Sequence, residues 1–457
     1  MHVSQEISKR GFFFMPESPE KKYPGLLTIS DGGIIELEIT SEGQAFNEFN
    51  EFEIGTLIGL LENGYVTIEG CSYRKRNLSF GESAATSLIH GRTAFFGVGM
   101  IQPAKFKAIK FSLDGLSEWL GRPALKITNT FEDWSATLEK HSPIHCNLPL
   151  NLSLKIDIKT KLPLHINYPI TELHQHSYIE INSDTPQDFE FFQSVMFKVS
   201  RFFSFLIGQS VSIYSVSAHI EDENIDKHYR WLDVYFKSRN KSILEKKVFH
   251  EMLISYYSIN SRLETVLYNW LAEYENLTPA IHLYFAAQDD SFGFLDTKFT
   301  GIANALEAFH RRTRPHSTTW TENEYEAKLE AILKSCPETE REWLGAKLKF
   351  GNEISLSKRL KELIAPFKSV FGNSSTKKSL VNLTVGTRNY YAHLDPAGKE
   401  RAAQGAKLIA LTFRLRVLFA LSMLHKLGFS ESETIDLAKS PALNKLLSSA
   451  SFIDSQV

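Results

Sequence analysis

The stretch Leu26-Leu27-Thr28-Ile29-Ser30-Asp31-Gly32-Gly33-Ile34-Ile35-Glu36-Leu37-Glu38-Ile39-Thr40 decides the fold class of the first half of the chain. Ile35, Leu37 and Ile39 alternate with Glu36 and Glu38, the two-residue period of a strand with one dry and one wet face. Asp31-Gly32-Gly33 separates two apolar runs and supplies the backbone freedom of a tight reversal, so the stretch predicts a β-hairpin. Working outward, Tyr65-Val66-Thr67-Ile68 follows Asn63-Gly64 in the same manner. Leu152, Leu154, Ile156 and Ile158 alternate in a later run. Short strands at intervals with glycine-bearing turns predict a sandwich-like or barrel-like domain up to about residue 180.

The period changes at Asp188. Phe189, Phe192, Val195, Val199 and Phe203 recur at three or four residues up to Gly208, which predicts a helix with its aromatic face in a core. Arg230 to Phe236 reads as one more strand. From Val248 the spacing is mostly helical, over Val248–Tyr274, Phe299–Arg312, Glu322–Leu333, Leu356–Phe367, Leu380–His393 and Arg401–Leu427. Pro315, Pro366, Pro396 and Gly428 stand where those helices should stop. The expected class is α+β, with a β-rich domain over 1–245 carrying one or two helices and an all-α domain over 246–457.

Composition narrows the rest. The 457 residues are 43% apolar and 23% charged with 25 Gly and 16 Pro, which excludes collagen-like and largely disordered chains. Cys71, Cys146 and Cys336 are far apart and odd in number, so no disulfide framework or paired-cysteine metal site is expected, in keeping with a reducing cytoplasm. Met1 to Phe14 carries Glu6, Lys9 and Arg10 and lacks the apolar run of a signal peptide. Leu408–Leu424 is apolar but interrupted by Arg414 and Arg416, so no membrane span is expected. His141 and His145 flank Pro143, and His174 and His176 lack a third ligand, so neither pair reads as a metal site. No phosphate loop, nucleophile elbow or kinase set occurs, and no cofactor is expected.

Charge is unevenly placed. Between Ser355 and Gly428 stand thirteen basic residues against three acids, a net of +10 in a chain whose total is −2. That is the footprint of a polyanion-binding surface, or of solvated helix faces neutralised by the acidic stretch Glu322–Glu353.

Chemistry concentrates in Thr387-Arg388-Asn389-Tyr390-Tyr391-Ala392-His393-Leu394-Asp395-Pro396. Pro396 ends the helix and leaves His393 in its last turn. Metal-free RNA cleavage needs a base for the ribose 2′-OH and positive charge on the pentacoordinate phosphate. Histidine titrates near neutrality and the arginine fork matches phosphate oxygens. Residues five apart lie about 140° apart on a helix, so Arg388 and His393 meet one phosphate only through the long arginine side chain and the fraying helix end. Taken as bare chemistry, the pair reads first as a surface arginine and a histidine complementing a helix C-terminus.

The segment resembles the signature of the HEPN superfamily, in which Arg and often Asn precede His by four to six residues on a late helix. More of the chain resembles the ApeA-type anti-phage proteins: Gly11-Phe12-Phe13 before Pro24-Gly25-Leu26-Leu27, His228-Tyr229-Arg230-Trp231 to Tyr235-Phe236, Leu277–Phe285 running into Phe299–Arg312, and Leu421–Gly428. The resemblance implies a β-rich sensor or scaffold before a HEPN endoribonuclease domain. It implies Arg388, Asn389 and His393 as catalytic, and RNA cleavage that shuts down an infected cell through a domain that dimerises. HEPN domains also place a polar or acidic residue on an earlier helix, and Glu307 fits that place. Arg311 and Arg312 beside it, with Lys377 and Lys378, are the expected RNA contacts. The expected partners are RNA, tRNA among the candidates, a phage protein as trigger and a second copy of the chain. Two other readings stand beside this one: a non-catalytic RNA- or protein-binding module, and a β-rich half that binds a ligand such as a carbohydrate.

Overall fold

The computed structural model describes residues 3, 6–41, 45–46, 52–76, 84–97, 99, 104–130, 133–161, 174–220, 231–238, 247–288, 293–315, 318–394 and 396–456. His228, Tyr229, Arg230 and Asp395, singled out above, lie outside them. The chain divides into two compact units, Met1–Leu271 and Ala272–Val457. The first is strand-rich and the second helical, so the α+β class stands.

The strands of the first unit are β1 Ile7–Phe14, β2 Tyr23–Ser30, β3 Ile34–Ser41, β4 Glu53–Leu61, β5 Gly64–Lys75, β6 Ala85–Gly91, β7 Thr93–Phe96 and β8 Phe106–Leu113. After them come β9 Leu125–Asn129, β10 Trp134–Leu138, β11 Ile144–Leu148, β12 Leu152–Lys161, β13 His174–Gln187, β14 Ile213–Ile220 and β15 Trp231–Phe236. The expected hairpin is β2 and β3, with Leu27 opposite Leu37 and Ile29 opposite Ile35. Ile35, Leu37 and Ile39 are almost wholly buried, while Glu38 faces solvent.

The first six strands close on themselves. β1 pairs with β2 and β4, β2 with β3, β3 with β6, β6 with β5 and β5 with β4, all antiparallel. The closure is a ring of the barrel kind, one of the two forms expected. β5 makes the closure possible by changing partners along its length. Val66–Glu69 pair with β7, whereas Ser72–Lys75 pair with β6. The change falls at Gly70, whose φ of +65° costs an L side chain about 1–2 kcal/mol. A Cβ there would also lie 2.8 Å from that of Arg92.

Beyond β5 the sheet runs on as β7-β15-β14-β8-β13-β12-β11. Its last strand has one side unpaired by any described strand. There the Asn147 backbone N–H and its Nδ2 both donate to Glu264 Oε1, at 3.0 and 2.8 Å.

The helices of this unit are α1 Leu116–Leu120, α2 Phe189–Ile207, α3 Tyr256–Ile259 and the start of α4 Leu263–Gln288, within which the division between units falls. Asp188 caps α2 by accepting from the Phe191 N–H, and Gly208 ends it in the left-handed region. Phe189, Phe192 and Phe203 enter the core as expected, Phe189 standing edge-to-face on Phe95 and Phe236. Val248–Tyr274 is not one helix. A 3-10 turn at Phe249–Glu251 is followed by extended backbone, because Ile254 donates to Leu206 O and accepts from Trp119 Nε1. Those tertiary bonds satisfy groups that a helix would have used.

The second unit holds α5 Leu295–Thr313, α6 Glu322–Ser335, α7 Arg341–Leu348, α8 Leu356–Ile364, α9 Ser374–His393, α10 Gly405–Lys426, α11 Glu431–Leu437 and α12 Pro441–Gln456. Its core joins Phe299, Ile302, Leu306 and Phe309 of α5 to Leu360 and Leu363 of α8, Leu380 and Val381 of α9, and most of α10. Phe419 of α10 stacks on Tyr284 at 4.4 Å and meets Phe309 edge-on. Among the described helices α10 alone is long and apolar enough to cross a membrane, and 72% of its most apolar window is buried inside the protein. By contrast, neither α6 nor α7 carries a buried residue.

Candidate functional site

The signature helix α9 starts where Asn373 Oδ1 accepts from the Thr376 N–H. Leu380, Val381, Thr384 and Thr387 form its buried face, at the spacing of one helix stripe. Thr387 Oγ1 accepts from the Ala403 N–H at 2.9 Å, which ties the helix to the chain that follows the signature. The helix stops at Leu394, a non-glycine residue in the left-handed region with φ 53°. Locally strained caps of this kind cluster at functional sites.

Arg388 sits at the edge of the buried stripe and leans toward α5. Its Nη2 lies 3.4 Å from Glu307 Oε2, and its Nη1 donates to Asn389 Oδ1 at 3.5 Å. Glu307 is 16% exposed and Arg388 31%, so the pair is shielded from water on most sides. Asn389 and His393, four residues apart, share the exposed face of α9. No hydrogen-bond partner of the His393 ring occurs among the described residues. Glu307, Arg388 and Asn389 are thus joined by direct bonds, and His393 stands one turn further on at the helix end.

The other cations have different surroundings. Arg311 pairs with Glu307 Oε1 at 3.1 Å and with Glu353 Oε2 at 2.6 Å, so its guanidinium already meets two carboxylates. Arg312 is exposed, and its carbonyl accepts from Asn276 Nδ2. Lys377 and Lys378 lie in the opening turns of α9, about 15 Å along the axis from Arg388 at 1.5 Å per residue. Neither forms an ion pair among the described residues. Of the thirteen basic residues in the +10 segment, Arg359, Arg388, Arg414 and Lys426 are ion-paired, to Glu353, Glu307, Asp454 and Glu273. The segment therefore presents less positive field than its composition suggests.

Sequence reasoning missed the support behind Glu307. Arg359 of α8 is buried, and its Nη1 lies 3.1 Å from His310 Nδ1. His310 is wholly buried, and its Nε2 lies 2.8 Å from Glu362 Oε2, which also accepts from Arg314. Arginine has only donors, so His310 Nδ1 must accept, and the ring is neutral with its proton on Nε2. Burial and the neighbouring cations push the His310 pKa down against the opposing pull of Glu362. A signal for this cluster exists in the sequence. Arg359 occupies the apolar phase of α8 with Leu356, Leu360 and Leu363, where a lone charge requires buried partners.

That tautomer carries a pH dependence. The folded pKa of His310 lies below the ordinary 6.5, so stability is full above pH 6.5 and falls as pH drops from there through the folded pKa. Burial pulls Glu362 up, but hydrogen bonds from His310 and Arg314 outweigh it and leave the carboxyl low, so further loss begins below its ordinary 4.5. Thermal melts from pH 7.5 downward should show the first loss. His310→Gln, which keeps one donor and one acceptor but cannot titrate, should reduce that slope by about one proton. An unchanged slope would exclude His310 as its source.

Two family models match the chain: ApeA N-terminal domain 1 over residues 8–270 and Apea-like HEPN over residues 300–433. No curated protein and no solved structure matches it. The second match encloses Glu307, Arg388, Asn389 and His393.

Proposed function

Because the chain belongs to the ApeA-type HEPN proteins and is a HEPN-type defence protein, we propose that it is an endoribonuclease whose cleavage of cytoplasmic RNA, tRNA among the candidates, aborts infection. The ribose 2′-OH attacks the adjacent phosphorus. His393 serves as general acid/base, Arg388 stabilises the phosphorane, Asn389 orients the reacting groups, and Glu307 assists by holding Arg388. Side chains supply both the proton transfer and the positive charge, so the mechanism needs no metal. A phage protein is the trigger and a homodimer the active form, since an acid and a base on opposite sides of phosphorus call for two copies of His393.

The observation that carries this reading is the contrast between its two main groups. Arg388 is bracketed by Glu307 and Asn389, while the His393 ring is exposed with no hydrogen-bond partner among the described residues, as suits a group exchanging protons with a substrate. Purified protein incubated with total RNA, EDTA and an extract of phage-infected cells to supply the trigger should yield fragments ending in 2′,3′-cyclic phosphate, and Arg388→Ala should yield far fewer. Intact RNA with the wild type would favour the second reading, a non-catalytic module. The pairing of Arg388 with Glu307 as a structural ion pair supports that second reading.

Among the described residues, Lys377, Lys378 and Arg312 are cations open to phosphate. Each phosphate contact to a single strand contributes about −0.7 to the slope of log affinity against log salt. Lys377→Glu with Lys378→Glu should flatten that slope and weaken binding alike across RNA sequences. A filter-binding salt series that shows no change would remove both lysines from the interface.

A further inference from the structure

We propose that Arg311 is a positioning residue that acts through Glu307, and that Glu353 is its anchor; this rests on the endoribonuclease reading above. The two oxygens of Glu307 have different partners. Oε1 meets Arg311 and Oε2 meets Arg388, at 3.1 and 3.4 Å. Carboxylate and guanidinium readily form a two-bond fork. Here the pull of Arg311 on Oε1 prevents that fork, so Glu307 steadies Arg388 through one oxygen and leaves its remaining donors for a phosphate.

Arg311 is itself held. Glu353 Oε2 lies 2.6 Å from its Nη2, and the same carboxylate stands 4.0 Å from the buried Arg359. The backbone around Glu353 is fixed by its bridge to Thr318. Asn352 reinforces it, accepting from the Trp320 N–H and donating to Trp320 O. The line Arg359–Glu353–Arg311–Glu307–Arg388 therefore runs from a buried cation to the group placed on the phosphorane. An RNA phosphate reaching Arg311 would have to displace two carboxylates.

The test compares wild type, Arg311→Lys, Glu353→Gln and Arg388→Ala as full-length protein. Its substrate is a single-stranded oligoribonucleotide that the wild type cleaves. Loss of alignment on the scale of 1 Å costs up to about a hundredfold in rate. Arg311→Lys and Glu353→Gln should each lower kcat about ten- to a hundredfold, with KM and the salt slope of binding unchanged. Were Arg311 instead a phosphate contact, Glu353→Gln would release it, tighten RNA binding and steepen the salt slope with kcat retained. That result overturns the proposal, as does full kcat in Arg311→Lys, which decides alone should Glu353→Gln fail to fold. If Arg388→Ala is inactive while both other variants keep kcat, this assignment alone falls. If Arg388→Ala cleaves like the wild type, the endoribonuclease reading falls and this assignment with it.

Discussion

On the endoribonuclease reading, replacing His393 by alanine should lower the rate of RNA cleavage by about 10²–10⁴-fold, the usual range for a positioned acid or base, and should leave the thermal melt where it was. The asymmetry follows from where the residue sits. His393 is exposed in the last turn of α9, with no bond among the described residues to lose. Arg388→Ala should cost about 10²–10³-fold, as removal of a group aimed at developing charge does. Its melt should shift slightly, because Glu307 then loses one of two cations. Rates on a defined RNA, with calorimetry on the same samples, check both. Cleavage at the parent rate by His393→Ala would end its assignment as acid/base.

Arg359→Ala is the variant with the largest expected effect on stability, about 1–3 kcal/mol for leaving the buried acceptor His310 Nδ1 without its donor. The side chain is 4% exposed and supports both His310 and Glu353. Its removal leaves His310 Nδ1 without a donor and Glu353 with Arg311 alone. Lys358→Ala, next to it on the same helix but outside the core, should change stability by no more than about 0.5 kcal/mol. Urea unfolding followed by the helical circular-dichroism signal compares them. A loss below about 1 kcal/mol in Arg359→Ala would mean that its partners are satisfied without it.

Much of this molecule was legible before any coordinates, where the physics is local. Glu36 and Glu38 between apolar residues could only be a strand with one dry face, and Asp188 and Gly208 mark both ends of α2. Closure of the barrel was not legible, since it rests on β5 exchanging β7 for β6, a non-local pairing announced only by Gly70. Val248–Tyr274 misled because helical spacing competed with two tertiary hydrogen bonds at Ile254, and those prevailed. At the site, Arg388, Asn389, His393 and Glu307 were singled out through family likeness, because the arginine–histidine spacing alone also suits a plain helix end. The role of Arg311 did not follow. That Arg311 meets a second carboxylate depends on its being a neighbour of Glu353 in space, forty-two residues apart in the chain.

The closed ring of β1–β6 also bears on self-association. A strand in a ring has no unpaired side, so the described portion of this long sheet ends at the outer side of β11. Exposed edges recruit strands from other molecules, and proteins guard them with charge. Glu264 takes the Asn147 N–H that an incoming strand would use, and it places a negative charge where that strand's carbonyls would lie. One carboxylate on α4 thus already occupies a backbone donor that an incoming strand would need at this edge.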